Sequence, residues 1–321
     1  MKRTVFAALL FLGTAAYADN APQSPASPPV TDWVANEVVL VAAKAEGPAF
    51  WRIKKGDSEI YILATVDDLP SGTTFEEAHM VGVIKGSRVM LLPPKASTGF
   101  FSTTWFLLWN RELLSLPDGK NLFDTLPPGL KARFVAVLDQ VKAPKEKLND
   151  DPPILAAMLL ENGFAANAKL VKGGLDETVN KFASDNDVPV QRIAEYDALG
   201  LVKELLRLPQ AAQQACLEEA VTDVEQRMIH VGPLARAWAT GDVKGIKAHY
   251  TPRVFWQCAN ATASSGKLYD RAVADYLKAI HEALSKPGKT VLVTDVGPLL
   301  RNTGVVEKLH DEGIVIEGPA E

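Results

Sequence analysis

Residues 50–69 read FWRIKKGDSEIYILATVDDL. Phe50-Trp51-Arg52-Ile53 has the make-up of a short strand, Lys55-Gly56-Asp57 carries turn chemistry, and Glu59 to Thr65 reads as a second strand rich in Ile and Tyr. The pattern is a β-hairpin. Its second strand runs out at Ala64-Thr65-Val66-Asp67-Asp68, two acids just past an apolar run. Near the other end of the chain the event recurs: Lys289 to Thr294 reads as a strand that runs into Asp295-Val296-Gly297-Pro298. Strand ends are where α/β proteins place their chemistry. The sequence therefore predicts a fold that brings these two strand ends together.

Between them the periodicity alternates between helix and strand. Phe75 to Lys85 is predicted as a helix and Ser87 to Leu92 as a strand. Leu130, Phe134, Val137, Leu138 and Val141 follow one helical face, and Pro152-Pro153 opens another helix at Ile154. Gly173 to Asn186 reads as a helix with Leu175, Val179 and Phe182 aligned, followed by a strand over Val188 to Ile193. Residues 197–250 are mostly helical, with breaks predicted at Pro209, Gly232-Pro233 and Gly241-Asp242. A last amphipathic helix covers Lys267 to Leu284, capped by Ser264-Ser265, with Tyr269, Val273, Tyr276, Leu277, Ile280 and Leu284 as its buried stripe. The expected fold is α/β: a small mixed sheet flanked by helices, with a helical insertion or cap.

The aromatic run Phe100-Phe101 and Trp105 to Trp109 has two readings. One is an exposed patch for a partner or a membrane surface. The other is a core-facing helix, and apolar character most of the way round favours the buried one.

The hairpin and the C-terminal strand also carry a resemblance. Phe50-Trp51-Arg52-Ile53, Gly56, Tyr61-Ile62-Leu63 and Leu69-Pro70 resemble the opening hairpin of the TraB/GumN family, which includes the Tiki proteases. Val291 to Leu299, Gly304-Val305-Val306, Leu309 and Gly313 to Glu317 resemble its closing strand, turn, helix and strand. Gly174-Leu175-Asp176, Glu195, Trp238, Gly241-Asp242 and Asp270-Arg271 match in between, so the resemblance spans about residues 48–317. It implies a core related to the erythromycin esterase and ChaN-like group. It also implies a hydrolase ancestry in which a divalent ion, held by His and acid ligands, activates water.

The chain departs from that family at the positions that carry the chemistry. The resemblance implies a Gly-x-x-His motif after each of the two strands. The first position here reads Ala64-Thr65-Val66-Asp67 and the second Asp295-Val296-Gly297-Pro298. An acid implied after the next strand is replaced by Pro93-Pro94. Glu195 and Arg271 remain as vestigial catalytic candidates, Arg271 as an electrophilic or anion-holding group; without the resemblance, Arg271 reads as one half of an i,i+4 ion pair with Asp275. Asp176 reads as a first-turn acid favoured by the helix dipole. The expectation is a pseudoenzyme with no cofactor, kept for a binding or structural role. The alternative is a divergent metal-dependent hydrolase or peptidase using Asp67, Glu195, Asp295 and Arg271, with Asp68 beside them; such oxygen ligands suit Mn²⁺, Mg²⁺ or Ca²⁺.

The five histidines, His79, His230, His249, His281 and His310, form no H-E-x-x-H or comparable close pair, which predicts solvated side chains. There is no C-x-x-C, phosphate-binding glycine loop or G-x-S-x-G elbow. Asn260-Ala261-Thr262 matches a glycosylation sequon.

The chain opens with basic Met1-Lys2-Arg3, an apolar stretch Val5 to Ala16, and small-x-small Ala16-Tyr17-Ala18. This is the pattern of a signal peptide, residues 1–18, cleaved after Ala18. A Pro/Ser/Ala linker and lead-in follows at 19–47, with Val38 to Val41 a short strand or helix, and a single domain at 48–317. The expected location is periplasmic or secreted, with no transmembrane segment after cleavage. Loss of Lys2 and Arg3 takes the formal charge from −5 to −7, which argues against nucleic acid and leaves a peptide, polysaccharide or protein ligand. Cys216 and Cys258 are the only cysteines, and in an exported chain they are expected to form a disulfide.

Overall fold

The computed structural model describes residues 33, 40–42, 47–67, 69–117, 119–171, 175–251 and 266–319. The hairpin forms as predicted: β2 (Phe50–Lys55) pairs antiparallel with β3 (Ser58–Thr65), and Lys55 faces Ser58 across the turn. Gly56 sits there at φ 57°, a left-handed conformation that costs a residue without Cβ little.

Strand β8 (Gly288–Asp295) lies beside β3 in parallel, so that Ala64 faces Thr294 and Thr65 faces Asp295. Val291, Leu292, Val293 and Thr294 are all buried, as expected for a strand covered on both faces. Outward on one side come β4 (Val89–Leu92) and β6 (Val190–Arg192), both parallel. On the other side of the hairpin, β9 (Ile316–Pro319) pairs antiparallel with β2 and parallel with β1 (Leu40–Ala42). The mixed sheet has order β1-β9-β2-β3-β8-β4-β6. A two-stranded ribbon, β5 (Lys95–Ser97) with β7 (Glu195–Asp197), continues past it.

Helices α1 (Glu77–Ile84) and α6 (Asp176–Asp185) contribute Met80, Ile84, Val179 and Ala183 to the sheet's core. The C-terminal helices α10 (Gly266–Leu284), α11 (Val296–Leu300) and α12 (Val305–Asp311) contribute Val273, Tyr276, Ile280, Leu299 and Leu309. A second core is wholly helical. Helices α3 (Leu122–Thr125), α4 (Pro128–Gln140), α5 (Pro153–Asn167) and α7 (Leu199–Leu206) pack Phe134, Leu160, Phe164 and Leu205 against Leu217 and Val221. The helical part thus begins well before the predicted residue 197.

Helix α8 (Gln210–Ala239) joins the two cores over 30 residues, about 45 Å. Its first half packs in the helical core and its second half, Leu234 to Trp238, in the sheet's core. The predicted break at Gly232-Pro233 does not occur: Pro233 lies inside α8. Packing at both ends outweighs the roughly 3 kcal/mol that an interior proline costs.

The aromatic run is a second correction. It forms α2 (Phe100–Trp109), but among its described side chains only Phe106 is buried. Phe101 is 86 % exposed, Trp105 65 %, Leu108 51 % and Trp109 69 %. A helix apolar all round needs cover on every side to be buried. Here the helical core covers one side only.

Candidate functional site

Parallel pairing of β3 and β8 sets the two motif ends side by side. Behind them, Trp238 of α8, fully buried, donates from Nε1 to the carbonyl of Ala64 at 2.8 Å. The Thr65 hydroxyl donates to the Thr294 carbonyl at 3.1 Å. Ala64, at a motif glycine position, is therefore held through its carbonyl.

Asp295 ends β8 and starts α11. Its Oδ1 accepts from the Gly297 N–H at 2.8 Å, capping the helix. The same oxygen accepts from the Tyr250 hydroxyl at 3.1 Å. Tyr250 follows α9 (Val243–His249), which Asp242 caps through the Gly245 N–H. The phenol sits so close that a Cβ on Gly297 would lie 2.5 Å from its oxygen. Burial, then the charges of Asp295 and Asp67, raise the Tyr250 pKa well above the ordinary phenol value, so it stays a donor. The ring of Trp33, from the lead-in, meets Tyr250 edge-on at 5.6 Å. Tyr276 of α10, also buried, is pushed up by burial and by Asp295 and Asp67, with the Thr294 hydroxyl pulling the other way.

The other predicted residues scatter. Asp67 is exposed, and Pro298, where the resemblance implies a histidine, is half-buried. Asp68 lies outside the described residues. Glu195 is exposed at the start of β7. Arg271 does form its i,i+4 ion pair with Asp275, at 3.9 Å, and its guanidinium also stands over the Tyr196 ring at 4.7 Å. Tyr196 donates to Asp275 Oδ2 at 2.7 Å, and burial followed by Asp275 raises its pKa. Asp176 has a more specific partner than the helix dipole: its Oδ2 accepts from Arg192 Nη2 at 2.8 Å, while Arg192 Nη1 donates to the Pro93 carbonyl at 2.7 Å. Arg192 thus ties together the retained acid and the position of the lost one.

The family resemblance implies a divalent ion at these strand ends. Asp295 Oδ1 already holds two hydrogen bonds, and Pro298 has no side-chain donor. Among the described residues no three His, Cys, Asp or Glu side chains converge.

The model of the TraB/PrgY/gumN family matches residues 49–318. This chain belongs to that family. No curated relative and no solved structure matches it. The family core thus runs from the hairpin through β9, and the sites of α8 and Tyr250 lie inside it.

Sequence spacing missed Tyr250 and Trp33, which belong to no motif. It also missed a histidine pair. His230 of α8 and His249 of α9 bring Nδ1 to Nδ1 at 3.1 Å, with ring centroids 5.4 Å apart, so these two are not solvated singly. One nitrogen must accept, so the contact cannot survive with both rings protonated. Burial, and then His249, lower the His230 pKa below its ordinary 6.5. The unfolded chain takes up that proton more readily than the folded one. Stability from this pair is therefore complete above about pH 6.5 and falls as pH drops toward the depressed folded value, where the loss levels off. Thermal melts from about pH 7 to about pH 5 should show a falling melting temperature, shallower in His230→Asn. Equal slopes in both proteins would refute the assignment.

Proposed function

We propose that this member of the TraB/PrgY/gumN family is an exported pseudoenzyme, its strand-end site turned from hydrolysis to a binding or structural role. The observation that carries the reading is the Asp295 carboxylate: its Oδ1 is engaged by the Gly297 N–H and by the Tyr250 hydroxyl. An acid that caps a helix and anchors a buried phenol is part of the framework. Pro298 and Pro93 supply no side-chain ligand, and Arg192 occupies the Pro93 carbonyl. The N-terminal pattern at 1–18 supports export with cleavage after Ala18, to the periplasm or the exterior. A Cys216–Cys258 bridge belongs to the same reading. Cys216 is fully buried on α8 and no cysteine among the described residues is free, while Cys258 lies outside them. The acidic balance of the chain favours a peptide, polysaccharide or protein ligand over nucleic acid. No helix among the described residues is long and apolar enough to cross a membrane.

The test is a thermal shift with added Mn²⁺, Ca²⁺ or Mg²⁺ at tens of micromolar. A ligand stabilises in proportion to its binding to the native state, so the melting temperature should stay nearly unchanged. The comparison is the ion-induced shift in Asp67→Ala/Asp295→Asn, where Asn keeps the cap. Clear stabilisation of the parent that disappears in the double variant would replace this reading with a metal-dependent hydrolase.

A further inference from the structure

Helix α2 projects an apolar stripe from the helical core. Phe101, Trp105, Leu108 and Trp109 follow i, i+4, i+7, i+8, so they share one face, and Trp105 and Trp109 touch with ring centroids 5.5 Å apart. Phe106 on the far side is buried, and it fixes the helix to the core. Lys203 Nζ of α7 and the guanidinium of Arg207, just past its end, stand over the Phe106 ring at 5.3 and 5.6 Å.

The four exposed side chains offer roughly 500 Å², from aromatic side chains of about 150–250 Å² each. That is the size of a typical monomer's largest apolar patch, one that is often functional, yet short of the roughly 800 Å² per partner of a stable protein interface. The stretch of chain that carries it is free of acids. No acid occurs between Leu92 and Arg111, a stretch that contains Lys95 and is followed first by Glu112. Lys95 and Arg111 are both exposed. The helix has 10 residues, about 15 Å, half of what spanning a bilayer needs. Trp and Phe on one face with cations at the flanks is the chemistry of a helix lying at the headgroup boundary.

We propose that α2 is an interfacial helix that lays Phe101, Trp105, Leu108 and Trp109 into the surface of an anionic phospholipid bilayer. Lys95 and Arg111 at its flanks then face the headgroups. The contact is peripheral and reversible, and it weakens with salt because the cations act within a Debye length of the surface.

The experiment is co-sedimentation of the chain from Asp19 onward, so that the apolar residues 5–16 are not the anchor. The vesicles are phosphatidylcholine with about one-third phosphatidylglycerol, against phosphatidylcholine alone, in low and high salt. The protein should pellet with the anionic vesicles, and brominated lipid should quench part of its tryptophan fluorescence. Trp105→Ser/Trp109→Ser should reduce the pelleted fraction about tenfold or more and remove the quenching, with an unchanged melting temperature because both positions are exposed. Lys95→Glu/Arg111→Glu should weaken binding to anionic vesicles while leaving the fold intact. Wild-type protein that stays in the supernatant overturns the proposal. So does a tryptophan double variant that pellets as well as the parent. A solution dimer broken by the same tryptophan substitutions, without vesicle binding, assigns the face to a second copy of the chain and also overturns it.

Discussion

Arg227→Met is expected to lower the free energy of unfolding by about 3–5 kcal/mol, because it breaks a buried ion cluster by removing one partner. The Arg227 side chain is 2 % exposed and faces Asp223, 1 % exposed, and Glu161, 17 % exposed. The guanidinium pairs with Glu161 at 2.5 Å and with Asp223 at 3.4 Å, and it lies 4.5 Å from the Phe164 ring centroid. Methionine retains most of the stem's volume but no charge. Asp223 and Glu161 would then lose the guanidinium that both of them face in the helical core. Glu161 Oε1 already has no hydrogen-bond partner among the described residues, so it has nothing to fall back on. The cost should appear in urea titration as a lower midpoint at similar slope. It should also shrink when Glu161→Gln and Asp223→Asn are added, since neutral amides no longer repel. A loss under about 1 kcal/mol for the single variant would mean that the cluster is solvated in solution.

Trp238→Ala should cost a similar 3–5 kcal/mol, for a different reason. Trp238 is fully buried where α8 meets the sheet, packs edge-on against Phe75 at 5.1 Å, and bonds the Ala64 carbonyl. Alanine leaves a cavity and an unsatisfied carbonyl; Trp238→Phe leaves mainly the carbonyl, a penalty of about 1–3 kcal/mol. Denaturant midpoints of the two variants should therefore separate clearly. If phenylalanine cost as much as alanine, the hydrogen bond rather than the packing would be holding the motif end of β3.

These two sites mark how far the sequence was readable. The hairpin, the run of Val291 to Thr294 and the stripe on α10 were legible because burial on one face, or on two, imposes a period on the chain. The meeting of the Ala64 and Asp295 ends was legible because both strands run out from an apolar run into acids. Whether α2 was covered was not, since an apolar residue carries no mark of what surrounds it. The Tyr250 contact and the His230–His249 pair join positions 45 and 19 residues apart. They depend on how α8 and α9 fold back on one another, which no local spacing encodes. The turn that folds them back was legible as the break at Gly241-Asp242, but not the contacts it creates. Gly241 adopts φ 65°, and a Cβ there would stand 2.6 Å from the Gly47 carbonyl oxygen.

The pairing of β3 with β8 also sets the order in which the chain can assemble. Ser58 and Gly288 are neighbours in the sheet, so its central ladder closes a loop of some 230 residues. Nothing made before β8 can complete that ladder, and contacts at such separation are slow to form. The helical core draws only on residues between Phe106 and Val231, with their connections local or nearly so. It is free to condense while the hairpin waits for its partner. Until β8 arrives, β3 presents an unpaired edge of Ile60, Ile62 and Leu63, the kind of edge on which incomplete chains associate wrongly.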